Sequence, residues 1–172
     1  MLGLGIAIPH QHTISFSLGD THQGGLIFYL DGSGGGLIAA PADEAQFANW
    51  GCIGSTISGA DGTAIGTGAQ NTIDINAGCT TANIAADKCR DSSQSGYTDW
   101  FLPSKDELNQ MYVNLQAEGL GNFQTSWYWS STEHSASQAK TQLFTTTGGY
   151  EGLQGQAGKN SGNVEVRPCR AF

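Results

Sequence analysis

The C-terminal tract constrains this chain most. It opens with Tyr128-Trp129-Ser130-Ser131-Thr132-Glu133 and closes with Val166-Arg167-Pro168-Cys169-Arg170-Ala171-Phe172. Between these hydrophobic anchors lie Ser, Thr, Gln and Gly, with Lys140, Glu151 and Lys159 nearly the only charges. Anchored ends around a small, neutral, hydrogen-bonding middle describe a rigid scaffold with an adaptable surface. Such surfaces recognise ligands more naturally than they catalyse reactions. The competing reading is a tract of solvated loops and edge strands.

The rest of the composition narrows the class. With 38% hydrophobic residues in 172, the chain is large enough for one domain with a real core. Its 25 glycines mark many turns and argue against a helical bundle. Net charge is -8, and the seven cations are scattered rather than striped. A nucleic-acid partner is therefore excluded, and an anionic membrane surface is disfavoured for the same reason. No apolar run reaches the length of a transmembrane helix, so membrane insertion is not expected. Residues 1–8 are apolar but lack a basic flank and a small-residue cleavage site, so they do not read as a signal peptide.

The four cysteines, Cys52, Cys79, Cys89 and Cys169, form no C-x-x-C pair, which gives a zinc site little support. An even count in a weakly charged, Ser/Thr/Gly-rich chain fits an oxidising compartment and two disulfides. Of the three possible pairings, Cys79–Cys89 with Cys52–Cys169 is the one expected; free buried thiols are the alternative.

Along the chain, Gly25-Leu26-Ile27-Phe28-Tyr29-Leu30 reads as a strand, residues 31–36 as a glycine-rich hairpin turn, and residues 37–40 as the returning strand. Residues 54–68 read as loop. Residues 69–90 read as one broken or two short helices, interrupted at Gly78. Ser104-Lys105-Asp106-Glu107 is a capping box, and Leu108, Met111, Tyr112 and Leu115 follow on one helical face, with Gly119 as the stop. Short strands return at 128–131, 142–145 and 165–172. The first and last segments are expected to share a sheet. The fold class is α+β, with residues 1–18 an arm or stalk junction and 19–172 the domain.

Six ordered motifs carry a resemblance over residues 19–172. They are Gly24-Gly25-Leu26-Ile27-Phe28-Tyr29-Leu30, Trp50-Gly51-Cys52, Gly66-Thr67-Gly68-Ala69-Gln70-Asn71-Thr72, the stretch Asp99-Trp100-Phe101-Leu102-Pro103-Ser104-Lys105-Asp106-Glu107-Leu108, and the two anchors of the closing tract. Together they resemble the C-terminal domain of the Legionella collagen-like adhesin. The resemblance implies a C-type-lectin-like fold, related to that of the formylglycine-generating enzyme, and an extracellular role. Those adhesins are trimeric and bind sulfated glycosaminoglycans. Similar domains end variable proteins of diversity-generating retroelements, where the segment between the Trp-Ser-Ser motif and the final Arg-Ala-Phe is the binding surface. Two departures matter. The chain is acidic, whereas polysulfated ligands favour clustered Lys and Arg. It also lacks the Glu-Pro-Asn or Gln-Pro-Asp with Trp-Asn-Asp motifs of calcium-dependent sugar-binding lectins.

The expected ligand is a cell-surface glycan or a protein receptor. The candidate binding residues are His134, Ser135, Ser137, Gln138, Lys140, Gln142, Thr145, Thr147, Tyr150, Gln154, Gln156 and Lys159. Tyr150 suits stacking on a sugar ring or service as a protein hot spot. A homotrimer is expected, with a trimerising structural cap as a further reading. Trp100 and Trp129 read as core and Glu107 as a cap. Arg167 and Arg170 are expected to bridge carboxylates such as Asp99 or Glu133. His10, His12 and His22 lack a further ligand at metal spacing, and are expected to be exposed or to contact another copy. Asp20, Asp31, Asp43 and Asp61 are available to calcium, but no EF-hand pattern appears and no cofactor is expected. No G-x-S-x-G, P-loop or H-E-x-x-H occurs, and Cys169 stands alone near the C-terminus, so no enzymatic activity is expected.

Overall fold

The computed structural model describes residues 15–44 and 47–172. His10 and His12, and most of the expected arm, lie outside the described residues. Among the described residues the architecture is α+β, with two antiparallel sheets and three short α-helices.

The first sheet follows from its apolar strands. β2 (Gly25–Leu30) and β3 (Gly36–Ala39) form the hairpin, and Asp31 closes its turn. The Asp31 Oδ1 accepts from the N–H groups of Ser33 at 2.7 Å and Gly35 at 3.1 Å. β1 (Thr21–His22) flanks β2, and β7 (Cys169–Ala171) pairs with β3, giving the order β1-β2-β3-β7. The first and last segments therefore share a sheet, as expected. Because successive side chains point to opposite faces, the strands feed two cores. Phe28, Leu37, Ala39 and Cys169 join Leu108, Met111 and Phe144 in one. Ile27, Ile38 and Ala40 join Trp100 in the other, where Phe16 and Phe172 pack. His22 is half-buried and lies between the Phe16 and Phe172 rings, at 4.5 and 4.6 Å.

Helices link the sheets. α1 (Gly68–Gly78) and α2 (Ala85–Arg90) fill the stretch read as a broken helix. α3 (Lys105–Asn114) starts at the expected capping box: Ser104 Oγ accepts from the Glu107 N–H at 3.3 Å, and Glu107 Oε2 accepts from the Ser104 N–H at 2.7 Å. Glu107 is buried and its Oε1 also accepts from the Gly66 N–H at 2.7 Å. Burial pushes its carboxyl above the ordinary range, against the pull of these amides. A 3₁₀ turn over Gln116–Glu118 extends α3 before Gly119 stops it at φ 72°.

The second sheet departs from expectation. β4 (Trp127–Glu133) runs longer than 128–131. β5 (Gln138–Leu143) begins earlier than 142 and ends before Thr145. β6 (Gln154–Gly158) was not foreseen, because Gln, Gly and Ala are poor strand formers. It forms by pairing with β5 in the order β4-β5-β6. Gly155 lets the Trp127 ring pack close to the strand, since a Cβ would stand only 3.2 Å from it. In the closing segment only Cys169–Ala171 is regular strand, while Glu165 makes a lone parallel bridge to Tyr128.

The cysteine pairing differs as well. The disulfide is Cys52–Cys79, with Cα atoms 5.6 Å apart, and Cys89 and Cys169 are free and buried. Cys79 caps the end of α1, where Gly51, at φ 105°, lets the Trp50-Gly51-Cys52 turn come close. The turn of α2 carries Cys89 into the core beside Ala85 and Trp129. Cys169 is held in β7 by paired hydrogen bonds with Phe101 at 2.8 and 2.9 Å. Burial pushes both thiols well above their ordinary range.

The ion pairs sort out the expected arginine bridges. Arg170 grips Asp99 in a bidentate pair, at 2.6 and 2.8 Å. Arg167 turns instead to Asp43, at 2.6 Å. Glu133 pairs with neither arginine; its partner is Lys159. Trp100 and Trp129 are buried, as expected.

Candidate functional site

The register of the second sheet gathers five of the twelve candidate residues, Gln138, Lys140, Gln142, Gln154 and Gln156. On β5, Gln138, Lys140 and Gln142 point to one face, at alternate positions. β6 adds Gln154 opposite Gln142 and Gln156 opposite Lys140. The other face, through Trp129, Ala139 and Ala157, packs on the core around Trp50. Gln154 and Gln156 are exposed, while Gln138 and Lys140 are half-buried. The result is a ladder of long polar side chains about 14 Å long at strand spacing, with Lys140 its only charge.

Loops occupy the two ends. At one, His134, Ser135 and Ser137 make the β4–β5 turn. The N–H groups of His134 and Ser135 both donate to the Gln138 carbonyl at 3.0 Å, and Ser135 Oγ accepts from the Gln138 N–H at 3.2 Å. Ser135 is thus a turn residue, whereas His134 and Ser137 are exposed. At the other end, residues 144–153 join β5 to β6. Thr145 is buried and Thr147 exposed, and the Thr145 hydroxyl bonds the Thr147 backbone at 3.1 and 3.3 Å. Tyr150 stands 63% exposed at the tip. Glu151 accepts from the Gly149 N–H at 3.0 Å, and backbone donors hold its carboxyl below the ordinary range.

Three candidates are not surface groups. Gln142 is buried; its Nε2 donates to Asn109 Oδ1 at 2.9 Å and to the Gly152 carbonyl at 3.0 Å. It ties the Tyr150 loop to α3. Thr145 shapes the same loop from inside. Lys159 is wholly buried, the clearest correction to the expected surface. Its Nζ donates to Glu133 Oε1 and, at 2.7 Å, to the Ser55 carbonyl, and it lies 4.5 Å above the Trp50 ring. Glu133 Oε1 also accepts from the Ile57 N–H at 2.9 Å. A cation flanked by Gly158 and Asn160 looked solvated. The available signal was that Glu133 and Lys159 are opposite charges in a nearly neutral tract.

Asp20, Asp31 and Asp43 are engaged by protein donors, and Asp61 is an exposed loop residue. Among the described residues, no three of His, Cys, Asp and Glu gather closely enough to hold a metal ion. No helix of the described residues is long and apolar enough to cross a membrane. No family model matches the chain, and no curated protein matches it either.

Proposed function

We propose that this chain is a non-enzymatic recognition domain with a C-type-lectin-like fold, displayed outside the cell, that binds a cell-surface glycan on the second sheet. The observation that carries the reading is the ladder Gln138, Lys140, Gln154 and Gln156 beside an exposed Tyr150. Planar amides donate and accept at once, which suits rows of sugar hydroxyls. An aromatic ring at the edge offers an apolar face for stacking. The Cys52–Cys79 disulfide is consistent with an oxidising compartment. With one charge on the ladder, the favoured glycan is neutral or sparsely sulfated rather than polysulfated.

A protein receptor is the second reading. It is favoured by Tyr150 and Leu153, exposed together on one loop, since aromatic and aliphatic anchors ringed by polar groups are typical of protein hot spots.

Binding to a glycan array that includes sulfated glycosaminoglycans, at low and physiological salt, tests the first reading. We expect salt-resistant binding to a defined glycan, weakened about tenfold or more by Tyr150→Ala or by the pair Gln154→Ala and Gln156→Ala. Binding that survives both changes removes the ligand from this face. A silent array with folded protein moves the reading to the receptor.

A further inference from the structure

A second polar site lies away from the glutamine ladder. A cavity of about 380 Å³ opens between Asp43, Glu44, Asn122, Gln124, Glu165 and Arg167. Arg167 supplies its one positive charge, and that charge is fully engaged. Its Nε donates to Asp43 at 2.6 Å, its Nη1 to the Ala40 and Gly121 carbonyls at 3.1 and 2.9 Å, and its guanidinium stacks 4.1 Å from the Phe123 ring. Asp43 is engaged too, since its Oδ2 accepts from the Tyr128 hydroxyl at 2.9 Å. Asp43 and Arg167 therefore cancel.

Two carboxylates are left over. Glu44 Oε1 accepts from Ser92 and, at 2.6 Å, from Gln94 Nε2, which fixes the carboxylate in place without neutralising it. Glu165 is only 4% exposed, and its Oε2 is buried with no hydrogen-bond partner among the described residues. An unmet buried carboxylate oxygen is costly. Glu165 is among the residues that line the cavity. Burial first, then the neighbouring Asp43, pushes the Glu165 carboxyl above its ordinary range, against the pull of the Phe47 N–H and Arg167.

We propose that this cavity binds an organic cation, an ammonium or guanidinium group, seated against Glu165 and Glu44 with Asn122 and Gln124 at the rim. The volume holds several waters or one small cationic group. A metal ion fits less well, because the carboxylates do not converge as three ligands. The group belongs either to a basic side chain of a partner protein or to an amino sugar. The site is separate from the ladder, so failure of glycan binding there leaves it standing.

Calorimetric and NMR titration of the whole chain with small probes tests it. The cationic probes are the N-acetyl methylamides of lysine and arginine, and glucosamine; N-acetylglucosamine and calcium chloride are the controls. We expect saturable binding of a cationic probe, shifted signals at the Asn122 and Gln124 side-chain amides, and affinity reduced about tenfold or more by Glu165→Gln. Preference for the amino-acid amides identifies a protein side chain, and preference for glucosamine an amino sugar. Should Glu165→Gln fail to fold, Glu44→Gln is expected to weaken the same binding, and Gln124→Lys to compete with the probe by planting an ammonium at the rim. No saturable binding, equal binding of the neutral sugar, a response to calcium alone, or affinity unchanged by the folded variants overturns the proposal.

Discussion

The two sheets are stabilised by different physics. The first is built from Gly-Leu-Ile-Phe-Tyr-Leu and Gly-Leu-Ile-Ala strands, and residues 36–39 are all buried. Transfer of apolar surface from water holds it, a force that is non-directional and tolerant of exchange among similar side chains. The second carries Gln-Ala-Lys-Thr-Gln-Leu and Gln-Gly-Gln-Ala-Gly. One of its faces is apolar. On the other, Tyr128 of β4, opposite Gln142, packs into the core with Phe28 and Phe144, so that only β5 and β6 carry a polar face. Its ends are fixed by named polar contacts: Lys159 to Glu133 and Gln142 to Asn109 and Gly152. A face free of hydrophobic duty is a face whose residues are free to serve a ligand.

The sharpest way to break this contrast is Lys159→Ala. It strands the buried Glu133 and is expected to cost about 3–5 kcal/mol in denaturant unfolding. The double change Lys159→Met with Glu133→Leu should recover most of that loss, because removing a buried pair together is often neutral or better. A double variant as unstable as the single one would show that the pair acts through shape rather than charge. In the first sheet, Leu37→Ala should cost about 2–5 kcal/mol, while Leu37→Met stays under about 1.5 kcal/mol. Gln142→Ala leaves the Gly152 carbonyl and Asn109 unmet, for about 1–3 kcal/mol. It should also loosen the Tyr150 loop, readable as faster amide exchange at residues 150–153.

Smaller effects sharpen the comparison at the surface. Gln156→Ala should change stability by less than about 0.5 kcal/mol while lowering ligand affinity, which separates the ladder from the scaffold. The Arg170 guanidinium holds the Asp99 carboxyl below its ordinary range. That contribution is present above the unfolded-state value and is lost as pH falls through the folded one. With the Asp99 side chain 59% exposed, the effect is small. Asp99→Asn should flatten only the acid limb of a stability–pH curve; an altered basic limb would contradict this.

Legibility in sequence followed the same divide. The β2–β3 hairpin and the α3 cap were readable because periodicity and capping chemistry are local, and the buried Trp100 and Trp129 because they lie in the motifs that carry the resemblance. β6 was not, since its residues are poor strand formers and only the partner strand and the Trp127 ring make them one. The burial of Lys159 and the Cys52–Cys79 pairing were hidden for a related reason. Both depend on which loops the fold brings together: residues 52–57 against β4 and β6, and the end of α1 against Gly51. Of the candidate residues, those at alternate positions on β5 were found through composition, yet the face they share became visible only with the register.

The pairing of β3 with β7 also sets an order of events. Ala39 is not free to complete its hydrogen bonds until Cys169 arrives, so the hairpin made early in synthesis waits with one edge open.

 Long-range pairings of this kind slow folding and leave unpaired strand edges exposed to other chains. Residues 36–39, apolar and edge-on at that stage, are where nascent copies would stick to one another. A translation pause or a chaperone acting before Cys169–Ala171 emerges should therefore change the yield of soluble protein more than any substitution on the glutamine ladder.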